Sequence, residues 1–491
     1  MRTHPLHFVI IAFTLLVVGC SSAPHAIAPA VISRSDEVAQ FKPVQPERWT
    51  LPNGLTVVYL RDGELPVVQG QLMIRGGSLW ADRYPLGTTS AMGETMRTGG
   101  AGALSADALD RELEKLAAGV SSSFSAEFGS VSFSCLTADL DRVFQIFSDV
   151  ALRPRFESDR LSLWKGQSLE GIRRRAEDPS TVASIAFLQL VYGDSAYGKV
   201  SWSRDINAIS RAQIEGLHRE LMKPDGAILV VTGSVERERV AELVNHHFGT
   251  WMARGRRLPP APPVNYEPKP GIYFVTLPFA QASVKAGHLG VPRLTPDYPA
   301  IDLFNEVFGS GGFGSRLMKR VRTELGLSYG VYGGIAPAVV KGTNYIFVQT
   351  KADSTGAALV ESIGVLEQLQ REPPTAEELG EKRQAIENSY VFNFGSVGEI
   401  AGRLARQELL GYPSDYDATY LSKVAQVTPS DISKVAAERW NPSKLVAVVV
   451  GNDSAFQALE REHARPESRL NAFRLQKVSF GEALEDVNLR K

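Results

Sequence analysis

The strongest constraint on this chain is that it repeats itself. Met222–Gly233, MKPDGAILVVTG, returns as Trp440–Gly451, WNPSKLVAVVVG, each an aliphatic run set between a proline and a glycine. Ile209–Ile214 returns as Val427–Ile432, at the spacing that separates Pro224 from Pro442. Tyr84-Pro85 ahead of one helical pattern is echoed by Tyr298-Pro299 ahead of another, Ala300–Phe308. Three echoes in the same order point to a tandem duplication of one unit of roughly 200 residues. A chain of 491 residues is too long for a single core. Duplication says how it divides.

Each unit reads as strands interleaved with helices. In the first, Thr50–Leu60 (turning at Asn53-Gly54) and Val67–Arg75 read as strands, and Ser121–Leu136 as a long hairpin-like β stretch. Pro85–Met96, Ala106–Ala117, Leu140–Leu152, Ser158–Ala176 and Ala183–Tyr192 carry helical periodicity. Ser210–Leu221 leads into the strand Ala227–Thr232, and Val235–Phe248 closes the unit. Arg173, Arg174 and Arg175 read as a solvated helix tip. The expected fold class is α+β, a duplicated α/β-roll whose mostly antiparallel sheet carries helices on one face. Residues 254–270, with six prolines after Leu258, read as the linker between units.

Gly309–Tyr332, GSGGFGSRLMKRVRTELGLSYGVY, is the stretch with the most chemistry. A glycine-rich loop, Gly309–Gly314, precedes Ser315, a candidate N-cap. Leu317, Val321 and Leu325 then share the apolar face of a short helix ended by Gly326. Leu327–Tyr332 reads as a strand, with Tyr329 on the face of Leu327 and Val331. Two readings stay open for Arg322 and Tyr329. A guanidinium fork and a phenol on a rigid helix–turn–strand are suited to hydrogen-bonding an extended peptide, or the oxyanion formed when one is cut. Equally, they read as a surface salt-bridge arginine and a half-buried core tyrosine.

Asn53-Gly54-Leu55 entering the first unit, with Arg322 and Gly326-Leu327-Ser328-Tyr329 in the second, resembles the M16 peptidase family (pitrilysin, insulinase, mitochondrial processing peptidase). The likeness is greatest to its bacterial two-domain branch. It implies a half-shell, with an N-terminal-type domain at 47–253, a C-terminal-type domain at 271–465 and a tail at 466–491. In that family two half-shells close on a peptide. One supplies zinc through His-x-x-Glu-His plus a distant glutamate, and the opposite one supplies an Arg/Tyr pair, matched here by Arg322 and Tyr329. Two imidazoles and a carboxylate leave a fourth zinc position for water, whose pKa the metal lowers. This chain departs from that set. The matching helix, Gly87–Met96, puts Ser90 and Glu94 at the histidine positions and Gly93 at the base, and the third ligand falls on Gly171. A one-residue slip brings Glu170 there but restores no histidine.

Other chemistry is scarce. His246-His247 reads as a solvated helix end, and Glu94 with Glu170 is a poor hydrolytic zinc set. Gly326-Leu-Ser-Tyr-Gly330 matches Gly-x-Ser-x-Gly literally, but here the helix precedes the strand, the reverse of a nucleophile elbow at Ser328. Gly119–Phe133 resembles the family's substrate-pairing edge region, with Ser121, Ser122 and Ser123 placed for β-augmentation or forming a plain structural strand. The glycine-rich loop resembles that of non-catalytic processing-peptidase subunits.

The amino terminus resembles a bacterial lipoprotein signal. Phe8–Val18 is apolar but too short to span a bilayer, and Val17-Val18-Gly19-Cys20 is lipobox-like. The expectation is a signal peptide at 1–19, lipidation at Cys20, a flexible tether over 20–46, and a periplasm-facing place on a Gram-negative outer membrane. That leaves Cys135 as a buried, inert thiol. A formal net charge of −1 gives no basic balance for nucleic acid.

The resulting expectation is a zinc-less, non-catalytic subunit that binds peptide and lends Arg322 and Tyr329 in trans to a zinc-bearing M16 partner, with no cofactor of its own. The alternatives are a zinc-free peptide-binding or scaffold protein without a peptidase partner, and a metallopeptidase with atypical ligands.

Overall fold

The computed structural model describes residues 45–252 and 258–480. The signal segment, Cys20, most of the tether and residues 254–257 lie outside them. In chain order the first unit comprises β1 (Glu47–Thr50), β2 (Thr56–Arg61), β3 (Val67–Arg75), α1 (Thr88–Thr98), α2 (Ala106–Lys115), β4 (Gly119–Phe124) and β5 (Phe128–Leu136). It continues with α3 (Leu140–Leu152), α4 (Ser158–Arg173), α5 (Pro179–Tyr192), α6 (Ser203–Ala208), α7 (Arg211–Leu221), β6 (Ile228–Gly233) and α8 (Arg237–Phe248). The second unit comprises β7 (Gly271–Thr276), β8 (Gln281–Leu289), α9 (Tyr298–Asn305), β9 (Ser328–Ala336), β10 (Thr343–Lys351), α10 (Thr355–Arg371) and α11 (Ala376–Tyr390). After these come α12 (Val397–Leu409), α13 (Tyr416–Gln426), α14 (Pro429–Arg439), β11 (Val446–Gly451), α15 (Asp453–His463) and β12 (Leu475–Val478). Residues 258–270 carry no regular element.

The two sheets, β1-β2-β6-β3-β5-β4 and β12-β7-β11-β8-β10-β9, share the order of five strands and differ in the sixth, at the edge. The repeated aliphatic runs are β6 and β11, buried at every position and parallel to β2 and β7, while β3 and β8 flank them antiparallel. Burial on both faces explains why they read as unbroken apolar runs rather than alternating ones. Residues 475–478, expected in a loose tail, instead form β12 parallel to β7, at the edge that β1 takes in the first sheet.

Most helices cover one face of their own sheet, as expected. On α3, Val143, Phe144, Phe147 and Val150 recur at helical spacing and bury against Val131 and Phe133 of β5. The departure is α5 and α12. Each leaves its own unit to lie on the other face of the opposite sheet. Val182, Ala186 and Phe187 bury with Tyr273, Val275, Val446 and Val448. Conversely, Ala401 and Ala405 bury with Val58, Met73, Ile228 and Val230. The starts of these helices, Pro179 and Val397, stand at the same separation as Pro224 and Pro442, so the exchange is itself duplicated.

A carboxylate reinforces the join. Glu127, in the β4–β5 turn, accepts from Arg293 Nη1 at 2.8 Å, the Val339 amide at 2.8 Å and the Tyr197 hydroxyl at 3.0 Å. Arg175, expected at a solvated tip, is partly buried. It donates to the Ser201 carbonyl at 2.7 Å and lies over Trp202, and burial holds its pKa below the usual value.

Candidate functional site

The degenerate metal positions lie on α1 and α4. Ser90 and Glu94 face solvent, while Gly93 is buried where α1 meets β4. A Cβ at Gly93 would stand 2.8 Å from the Phe124 amide nitrogen. Ser122 Oγ donates to the Gly93 carbonyl at 2.5 Å, and Arg97 Nε donates to the Val120 carbonyl at 3.1 Å. The edge strand β4 occupies the space that a side chain at position 93 would need. Gly171 is exposed, with nothing near the position of its absent Cβ, and Glu170 is tied to Arg173.

These residues do not fit zinc. Among the described residues, no three His, Cys, Asp or Glu side chains converge in a metal-holding group. The described histidines other than the exposed His246 have other duties. His218 Nε2 lies 2.8 Å from the Ala151 carbonyl, and burial lowers its pKa to about 4. His288 is held between Leu289 and Asn441, and His463 Nε2 lies 2.8 Å from the Phe473 carbonyl. His247 is not solvated as expected. It contacts Ser148 Oγ at 3.1 Å and the Phe144 ring, and its pKa is lowered by burial. Burial also pushes the Cys135 thiol up to about 12, away from thiolate chemistry.

Strand β4 is an edge strand, so Ser121, Ser122 and Ser123 do lie at a sheet margin. Ser122 turns to α1, whereas Ser121 and Ser123 pair across to Ser132 at 2.8 Å and Ser130 at 3.4 Å. Ser121 also lines a cavity of about 420 Å³, floored by Gln69, Gln71, Ser132 and Ser134 and walled by Gly398 and Gly402 of α12. The outer edge of β4 is thus partly used by α1.

The second sheet places β9 where the first places β4. Gly309–Gly314 is not a plain loop. Glu306–Ser310 extends α9 as a wide, π-type turn, and Gly312–Gly314 forms a short 3-10 turn. A Cβ at Gly309 would collide with Gly333 of β9 at 2.4 Å, so glycine there permits close packing. Ser315 is extended and does not cap the helix with its side chain; its hydroxyl donates back to the Gly312 carbonyl at 2.8 Å. Met318–Glu324 is again π-wide, with Leu325 N bonding to Arg320 O at 3.2 Å. Widening breaks the expected face. Leu317 and Val321 are buried, but Leu325 is 39% exposed. Gly326, at φ +62°, closes the turn, and Leu327 N reaches back to Val321 O at 2.9 Å.

Strand β9 opens with a bulge. Gln349 and Thr350 of β10 face Gly330 and Ser328, leaving Tyr329 as the extra residue. The bulge removes Tyr329 from the face of Val331: Val331 is fully buried, and Tyr329 is 51% exposed. Ser328 is buried, and its hydroxyl has no hydrogen-bond partner among the described residues. Arg316 makes a two-point pair with Glu378 at 2.8 and 2.7 Å, and Arg320 reaches Glu361 at 2.9 Å. Arg322 alone of the three has no carboxylate partner among the described residues. Its guanidinium carbon sits 4.7 Å from the ring centre of Phe313. Arg322 is not a salt-bridge arginine among the described residues, and Tyr329 lies half-exposed at the bulge rather than in the core. Phe313, 68% exposed on the glycine turn, is the contact the sequence reading missed; its one signal is a large apolar residue set between two glycines.

Residues 56–190 match the family described as insulinase (peptidase family M16), and residues 208–386 match the peptidase M16 inactive domain. The chain belongs to the M16 peptidase family. It is similar to an uncharacterized zinc protease of Mycobacterium tuberculosis, 26% identical over 67% of this chain and 75% of that protein. A non-peptidase homolog of Helicobacter pylori is 20% identical over 81% of this chain and 91% of that one. Among solved structures, a peptidase M16 inactive domain from Pseudomonas fluorescens superposes with a TM-score of 0.76 at 25% identity, covering 83% of this chain and 98% of that one. Within the family, this chain has no histidine on the helix that matches the zinc motif.

Proposed function

We propose that this M16 chain is the zinc-free subunit of a two-chain peptidase. It closes over a peptide held at a partner's His-x-x-Glu-His site and presents Arg322 and Tyr329 to the scissile carbonyl. The observation that carries this reading is the state of Arg322. Arg316 and Arg320 are paired with carboxylates, while Arg322 has none among the described residues and rests on Phe313, and, seven residues on, a bulge turns Tyr329 outward. A free guanidinium and a phenol are the donors an oxyanion needs. The same reading places the chain on the periplasmic side of an outer membrane, held by a lipid on Cys20.

A second reading has its own support. Edge strand β4 and the polar cavity beside Ser121 suit peptide capture without hydrolysis. Mixing the purified chain with a zinc-bearing M16 subunit separates the two. The first reading expects turnover of a fluorogenic peptide well above that of either chain alone, and the second expects binding with no gain in turnover.

A further inference from the structure

We propose that Phe313 is the positioning residue for Arg322, an aromatic rest that orients the guanidinium without neutralising it. The inference rests on the reading of Arg322 given above.

The rest is built into the turn. Gly312 takes a left-handed φ of +58°, and Ser315 ties back to the Gly312 carbonyl through both its amide at 3.0 Å and its hydroxyl at 2.8 Å. A Cβ at Gly314 would lie 2.6 Å from Nζ of the buried Lys382. The turn is therefore pressed onto Lys382, and Phe313 projects outward. An exposed phenylalanine forgoes its burial energy, and the return is the contact with Arg322.

The choice of an aromatic face over a carboxylate has a chemical consequence. A carboxylate would hold the guanidinium by two charge-assisted hydrogen bonds, which an incoming peptide carbonyl would have to displace. A ring attracts the cation through its quadrupole and uses none of its five N–H donors. Arg322 is thereby oriented with its donors free. The wide helix contributes too, since in the same turn it sends Arg320 to Glu361 and leaves Arg322 above Phe313.

The test needs no partner. Phenylglyoxal condenses with the guanidine nitrogens, and a ring stacked on one face shields them and must be displaced first. In the isolated chain, Phe313→Leu should raise the modification rate at Arg322 by about two- to fivefold. Phe313→Tyr and Phe313→Trp should hold it at or below the native rate. Arg320, read by mass spectrometry in the same digest, should not change in any variant. An unchanged Arg322 rate in the leucine variant, or leucine and tyrosine variants that react alike, overturns the proposal. If a zinc-bearing subunit is then added, Phe313→Leu should reduce the gain in kcat/KM by a similar factor and Phe313→Tyr should restore it. Absence of any gain with the native chain contradicts the two-chain reading, while the modification rates still decide the role of Phe313.

Discussion

Gly93 carries the clearest single-residue evidence on chemistry. Its missing side chain does more than omit a base, because the Phe124 amide sits 2.8 Å from where a Cβ would be. Alanine is favoured over glycine inside a helix by roughly 1 kcal/mol. Forcing a methyl into a packed backbone contact costs about 1–3 kcal/mol. The contact should win, so Gly93→Ala is expected to destabilise the protein in urea denaturation. Gly171→Ala is the control: its Cβ enters open space, and stability should stay level or rise by up to about 1 kcal/mol. Equal effects at both sites would mean that β4 does not press on α1. That Ser90, Gly93, Glu94 and Gly171 stand where the family's two histidines, base and third ligand would be follows from register in the sequence. The strand filling the gap does not, because nothing in the residues of α1 says which strand lies across it.

At the scale of elements, the unit from Met318 to Ala336 shows where periodicity stops being informative. A repeat of 3.6 residues predicts that Leu325 follows Val321 into the core, but the π-wide turn bonds five residues back and rotates it out. Alternation predicts Tyr329 beside Val331, but the partner strand β10 imposes a bulge that no local pattern in β9 announces. Both departures fall on the stretch that bears Arg322 and Tyr329, where local sequence rules are most expected to give way to a site. Gly326 was legible as a helix stop, and its φ of +62° explains why. No atom crowds its absent Cβ, so Gly326→Ala isolates the backbone term. It should cost about 1–2 kcal/mol in thermal or urea unfolding, with Gly326→Asn losing less. An alanine variant of native stability would show that the turn tolerates another geometry.

For the whole molecule, the duplication read from Pro224, Pro442 and their neighbours predicted two copies, and two sheets that share the order of five strands follow. The exchange of α5 and α12 was not foreseen, yet α5 carried a signal. PSTVASIAFLQLVY is apolar on nearly all sides, as a helix buried between layers should be, whereas a surface helix keeps one polar face. With Glu127 spanning the join, the two units are fastened at several points, which suits a rigid half-shell. Rigidity matters if this molecule's contribution is to hold donors in place for chemistry done elsewhere. The most direct measurement is peptide turnover by a zinc-bearing M16 subunit saturated with this chain, compared with Arg322→Ala and Tyr329→Phe. Loss of an oxyanion donor lowers kcat by on the order of a hundredfold, and each variant should lose most of the gain the native chain confers while still binding the partner. Variants that support turnover as well as the native chain would contradict the account.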